Sequence, residues 1–184
     1  MRPLVPLALM LLACTLTSTG CAKIKFWKRG ESAKVLARGP KVGMVAPEIE
    51  GEDFAGRHVK LSDHRGKVVV VAFWASWCKP CVQLIPRERE LFERYRDRPF
   101  VMLGVNNDNN PDSARKVIQA QHMSWPSCQT CGCDDPINKQ WEVDRLPSLF
   151  VIDANGIVRH APGSRESLEY VVEKLIVDVE GKRR

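Results

Sequence analysis

Val68-Val69-Val70-Val71-Ala72-Phe73-Trp74-Ala75-Ser76-Trp77-Cys78-Lys79-Pro80-Cys81 joins an apolar run to two thiols spaced i, i+3. An uninterrupted apolar, β-branched run of this length predicts a buried central strand, Val68 to Trp74. The residues from about Lys79 to Arg96 predict a helix with Val82, Ile85, Phe92 and Tyr95 turned inward and a kink at Pro86. Cys78 then falls at a helix N-terminus, where unpaired backbone N–H groups and the helix dipole favour a thiolate. Cys81, one turn further on, is near enough to close a short disulfide. A strand that turns into a helix at such a pair is suited to thiol–disulfide exchange.

Working outward, short strands and helices alternate. Arg57-His58-Val59-Lys60-Leu61 alternates as an edge strand does, and Ser62 to Gly66 forms a turn into the central strand. Phe100 to Val105 reads as a second buried strand, followed by the polar loop Asn106 to Pro111 and an amphipathic helix from Asp112 to His122. A cysteine-rich loop leads to a short helix, Pro136 to Glu142. Ser148 to Ile152 and Gly156 to His160 pair about the turn Asp153-Ala154-Asn155-Gly156. The last helix begins near Ser164 and buries Leu168, Val171, Val172, Leu175, Ile176 and Val179. The implied fold is α/β, a central mixed sheet with helices on both faces.

The chain has 184 residues, 44% hydrophobic and 27% charged, enough for one ordinary domain with extensions. Residues 43–184 are assigned to that domain. Met1-Arg2 precedes an apolar stretch, Leu4 to Leu12, too short to cross a bilayer but fitting the apolar region of a secretory signal. Small residues before Cys14 and Cys21 resemble the bacterial lipobox, whose cysteine becomes the lipidated first residue of the mature protein. Cys21 leaves a signal of ordinary length, residues 1–20, and is the expected lipid anchor; simple cleavage without lipid is the alternative. Residues 21–42 carry seven Lys and Arg against Glu31 alone and read as a flexible basic tether. Such a segment supplies the second attraction that a single acyl chain needs at an anionic membrane, or is a solvated linker. The net charge of +6 concentrates there and in Lys182-Arg183-Arg184. An exported protein rarely meets nucleic acid, and nucleic acid is set aside as a partner.

Four stretches, Gly43 to Pro47, Leu61 to Lys67, Phe73 to Cys81 and Leu146 to Gly156, resemble the thioredoxin-like proteins of the TlpA/ResA type within the redoxin (AhpC/TSA-like) group. Those are bacterial, exported and usually membrane-anchored thiol–disulfide oxidoreductases. The resemblance covers about residues 43 to 180 and implies a thioredoxin-like fold with an N-terminal β extension and a β/α insertion. It makes Cys78 the exposed nucleophile and Cys81 the resolving thiol of a redox-active disulfide. Lys79 and Pro80 occupy the positions that tune the pair. Trp77 matches the aromatic flank of the site, whereas Trp74 is assigned to the core. Pro147 matches the family's cis-proline, and Leu146 exposes backbone groups to an extended substrate segment. The implied partners are protein thiols and disulfides, an upstream thiol donor in the membrane or in solution, and the membrane itself. The implied location is the membrane surface facing the periplasm or extracytoplasmic space. No cofactor is implied.

Two positions depart from the family. Relatives often carry a polar or acidic residue before the Phe-Trp pair and a glutamate three residues after the second cysteine, where this chain has Ala72 and Leu84. An acid that accepts the Cys81 proton must then come from elsewhere in the chain, or be replaced by water. The third difference is an addition, Ser127-Cys128-Gln129-Thr130-Cys131-Gly132-Cys133-Asp134-Asp135. Cys128, Cys131 and Cys133 admit three readings: a stabilising disulfide, a second redox couple, or thiolate ligands for Cu(I) or Zn. His58, His64, His122 and His160 share no spacing and read as surface or turn residues, and Glu88 and Glu90 as a solvated helix face. Two classes of function follow: a tethered oxidoreductase acting as a reductant through Cys78 and Cys81, or a soft-metal binding or delivery protein using the three loop cysteines. A peroxidase fits less well, because the residues around Cys78 lack the peroxidatic pattern.

Overall fold

The computed structural model describes residues 39–183 apart from 131, 133 and 134. Cys14, Cys21, the signal at 1–20, most of the tether, Cys131 and Cys133 lie outside the described residues. The elements run β1 (Glu50–Glu52), β2 (His58–Lys60), a 3₁₀ turn (Leu61–His64), β3 (Val68–Trp74), α1 (Lys79–Tyr95), β4 (Phe100–Asn106), α2 (Pro111–Ala120), β5 (Ser127–Gln129), α3 (Pro136–Gln140), β6 (Ser148–Ile152), β7 (Val158–His160) and α4 (Leu168–Gly181).

Five strands form the main sheet in the order β5-β4-β3-β6-β7. β3 is central and buried along its whole length, pairing parallel with β4 and antiparallel with β6. Its side chains alternate between two cores. Val68, Val70, Ala72 and Trp74 face the core covered by α1, α2 and α4. Val69, Val71 and Phe73 face the other, closed by Ile49, Leu61 and Trp141. In that second core Trp141 lies 5.5 Å from Phe73 and 4.9 Å from Phe150, ring centre to ring centre. The long helices thus share one face, and the other is covered by α3, the 3₁₀ turn and the β1–β2 hairpin.

The structure revises several sequence expectations. The segment 57–61 is no edge of the main sheet: β2 pairs with β1 in a separate two-stranded sheet. The start of the cysteine-rich loop is itself the edge strand β5, parallel to β4. Three residues are too few to show an alternation, so no sequence period marked it. α4 begins at Leu168 because the Ser167 hydroxyl caps the Tyr170 N–H, whereas the Ser164 hydroxyl accepts from the Ala161 N–H in the preceding turn. Both sheet edges are covered: residues 43–46 bond to the β7 side through Gly43, Met44 and Ala46, and Asp53 bridges to Cys128.

Parallel pairing gathers the C-terminal ends of β3, β4 and β5 at one end of the sheet, with Asn106 beside both Trp74 and Gln129. At the opposite end, Arg98 before β4 forms a two-pronged ion pair with Glu180 of α4, at 2.8 and 2.6 Å. There Arg183 also donates to the Gly66 carbonyl at 2.9 Å.

Candidate active site

β3 ends at Trp74, and the chain reaches α1 through Ala75-Ser76-Trp77-Cys78. Cys78 is the N-cap of α1: its backbone is extended, and its sulfur accepts a hydrogen bond from the Cys81 N–H at 3.3 Å. Lys79 and Pro80 form the exposed first positions, where the missing N–H of proline costs no helical bond. Cys78 and Cys81 are joined as a disulfide, with Cα atoms 5.3 Å apart. The sulfur pair therefore sits where the first turn of α1 points its free N–H groups, an arrangement that favours negative charge on Cys78 once the bond is opened.

Cys78 was expected to be exposed, and in this state it is only 5% exposed against 2% for Cys81. Both residues belong to the core under α1, which covers them. Trp77, at 63%, is exposed beside them, as are Lys79 and Pro80. Trp74 is a core residue, its indole N–H bonded to the Ser127 hydroxyl at 3.0 Å. The Leu146–Pro147 peptide bond is cis, as the resemblance implied. Because Phe73 pairs antiparallel with Ser148, Leu146 and Pro147 lie alongside the residues that follow Trp74. Both are half-buried.

The loop before Cys78 is held by a carboxylate that sequence reading passed over. Asp108, just beyond β4 and 3% exposed, accepts from the Ser76 N–H at 2.8 Å and from the Ser76 hydroxyl at 2.6 Å. It also accepts from the Asn106 side-chain amide at 2.7 Å. The Asn106 carbonyl in turn accepts from the N–H and hydroxyl of Thr130. A buried carboxylate thus ties the loop entering α1 to the ends of β4 and β5. The available signal was the run Asn106-Asn107-Asp108 directly after a buried strand, at the sheet end where the thiols emerge.

Two further expectations are corrected. Cys128 is a free thiol, fully buried in the core opposite the Cys78–Cys81 pair, and burial, reinforced by Asp53, pushes its thiol up to about 12. A buried neutral thiol at that position packs as a small apolar side chain and takes no part in a disulfide. Among the described residues no group of three His, Cys, Asp or Glu is placed to hold a metal ion. Glu88 is not solvated: it is 8% exposed, on the same stripe of α1 as Cys81 and Ile85, and burial pushes its carboxyl up to about 7. Leu84, at the position where relatives often have glutamate, is half-buried beside it in one cavity.

The fold and the disulfide at its strand-to-helix junction define a thioredoxin-like redox protein. The model of the AhpC/TSA family matches residues 42–161, and the chain belongs to that family. Thiol-disulfide oxidoreductase ResA of Geobacillus kaustophilus is 34% identical over 118 residues, 64% of this chain and 67% of that protein. ResA of Bacillus thuringiensis subsp. konkukian is 28% identical over 138 residues, 73% of this chain and 79% of that one. Among solved structures, the thioredoxin domain of a thiol-disulfide oxidoreductase from Bacteroides vulgatus superimposes with a TM-score of 0.68 at 26% identity, covering 74% of this chain and 98% of the other. The chain is therefore an α/β thioredoxin-like protein of the TlpA/ResA type and a thiol–disulfide oxidoreductase, as its motifs implied.

Proposed function

We propose that this protein is a membrane-tethered, extracytoplasmic reductant of protein disulfides. The observation that supports this reading most directly is the Cys78–Cys81 disulfide at the N-terminus of α1. In the reduced form, the Cys78 thiolate attacks one sulfur of a client disulfide. A Cys78–client bond forms, the client S–S bond breaks, and the other client sulfur leaves as a thiolate. Cys81, deprotonated by solvent or a nearby base, then attacks the Cys78 sulfur and displaces the second client thiolate. Two electrons pass to the client, its sulfurs take protons from water, and the Cys78–Cys81 disulfide is restored. An upstream dithiol, in the membrane or in solution, reduces it again.

Trp77 supplies an exposed aromatic surface beside the sulfurs, and Leu146 and Pro147 the neighbouring wall against which an extended client segment lies. The basic segment 21–42 and a lipid on Cys21 would hold the domain at an anionic surface. The direction of transfer and the location follow from the family resemblance. The metal-carrier reading loses support, because Cys128 is turned into the core.

Insulin reduction driven by dithiothreitol tests the chemistry. Cys78→Ser is expected to abolish the catalysed rate, and full activity in that variant would overturn the assignment. Cys81→Ser should instead accumulate mixed disulfides through Cys78, which mass spectrometry of the trapped partners identifies.

A further inference from the structure

The mechanism above leaves the buried carboxyl of Glu88 unused. Glu88 lines a cavity of about 200 Å3 formed between α1, β6, β7 and the start of α4. The walls are mainly Leu84, Leu91, Leu149 and Leu168. Glu88 is more than nine-tenths buried and makes no hydrogen bond or ion pair with the described residues, and burial alone governs its proton. A carboxyl in that position costs stability, since a leucine there would complete the apolar wall. A cavity of this kind, largely apolar with a few polar groups in its wall, has the composition of a binding site.

Its position relative to the disulfide suggests the occupant. Leu84 lies three residues beyond Cys81, and Leu149 two residues beyond Pro147. Glu88 lies seven positions after Cys81, about 10 Å along α1. An extended client spans that distance in about three residues. The volume exceeds the roughly 150 Å3 of an apolar cavity that admits benzene, so a single substituted ring fits.

We propose that this cavity is a client-recognition pocket for a phenol ring, the side chain of a tyrosine about three residues from the client's reactive cysteine. The proposal rests on the exchange reaction above and adds a specificity to it. The ring displaces water from the leucine wall, and its hydroxyl meets the Glu88 carboxyl. A phenol suits that group in both of its states: the protonated acid donates to the phenol oxygen, and the carboxylate accepts the phenol O–H. The charged or titratable groups around Glu88 are Arg87 on its own helix, His160 on β7 and Glu169 on α4. Burial lowers the His160 pKa, with Glu169 and Glu166 opposing it, so the imidazole adds no cation to the pocket near neutral pH. The tyrosine preference therefore persists on both sides of pH 7.

Disulfide-linked peptides with Tyr, Phe or Ala three residues before or three residues after the cysteine provide the test, with kcat/KM read for the full chain. In at least one series the wild type is expected to favour Tyr over Phe roughly five-fold, the worth of one ordinary hydrogen bond. Glu88→Leu should reverse the order to Phe at or above Tyr, because the hydroxyl then meets an apolar wall. Leu168→Trp, which fills the pocket from its rim, should reduce Tyr and Phe to the level of Ala and serves if Glu88→Leu does not fold. Equal rates for all three peptides in both series, or a tyrosine preference that survives both substitutions, would overturn the pocket while leaving the exchange reaction standing. Failure to reduce any peptide or insulin would instead bring down the exchange reading, and the pocket with it.

Discussion

Glu88 gives the folded protein a pH dependence opposite in sign to that of an ion-paired acid. Folded, it keeps its proton up to about 7; unfolded, it gives the proton up near 4.5. Its protonation stabilises the fold fully below the lower value, and that stabilisation is lost as pH rises through the upper one. The amount is on the order of 3 kcal/mol. Urea unfolding at pH 5 and pH 8 should show the wild type losing stability over this interval by more than Glu88→Leu does; equal losses would count against the burial of Glu88. Trp77 offers the contrasting case. With most of its surface in water, Trp77→Ala should change stability by about 0.5 kcal/mol or less while slowing insulin reduction, which denaturation and turnover measured on one preparation would separate. The two thiols were legible from spacing and neighbours alone. Glu88 was partly legible: position 88 lies three residues after Ile85 and four before Phe92, on the stripe that spacing marked as inward. Its charge argued for solvent, and tertiary packing decided otherwise. Cys128 was not legible, because a cysteine after a helix looks the same whether it is reactive or simply packed.

At the level of elements, the segment from Ala75 to Cys78 is ordered from outside itself. Strand and helix propensities account for β3 and α1, but neither fixes the loop between them; Asp108, on the neighbouring strand's exit, does so through Ser76. Asp108→Ala leaves the Ser76 N–H and the Asn106 amide without their buried acceptor and should cost about 2 to 3 kcal/mol. The same substitution is expected to slow exchange at Cys78, whereas Asp112→Ala, at an exposed position on α2, should affect neither measurement strongly. β3, β4, α1 and the β6–β7 pair were readable because each carries a period or an apolar run long enough to recognise. β5 was not, because it is three residues long and is defined by the parallel partner beside it and by the Asp53 bridge that covers it. The start of α4 was misplaced for a related reason: two serines three residues apart both suit a cap, and the choice between them depends on the turn at Ala161.

For the whole molecule, the sheet explains why one end carries the chemistry. A parallel β3–β4–β5 arrangement brings three C-terminal strand ends, the cap of α1 and the cis-proline loop to the same place. The family motifs made this architecture readable in advance, although the unequal covering of the two faces came only with the structure. The proposed tether has a direct test: Cys21→Ala should move the protein from the membrane to the soluble fraction, whereas Cys14→Ala should leave it membrane-bound. The ionic clamp of Arg98 on Glu180 and the contact of Arg183 with Gly66 hold the end of α4 at the pole of the sheet remote from the sulfurs. A label or surface linkage placed at the exposed Lys182 would therefore leave the reactive pole facing free solution, and that end of the helix is the natural handle for immobilising this protein as bait for its clients.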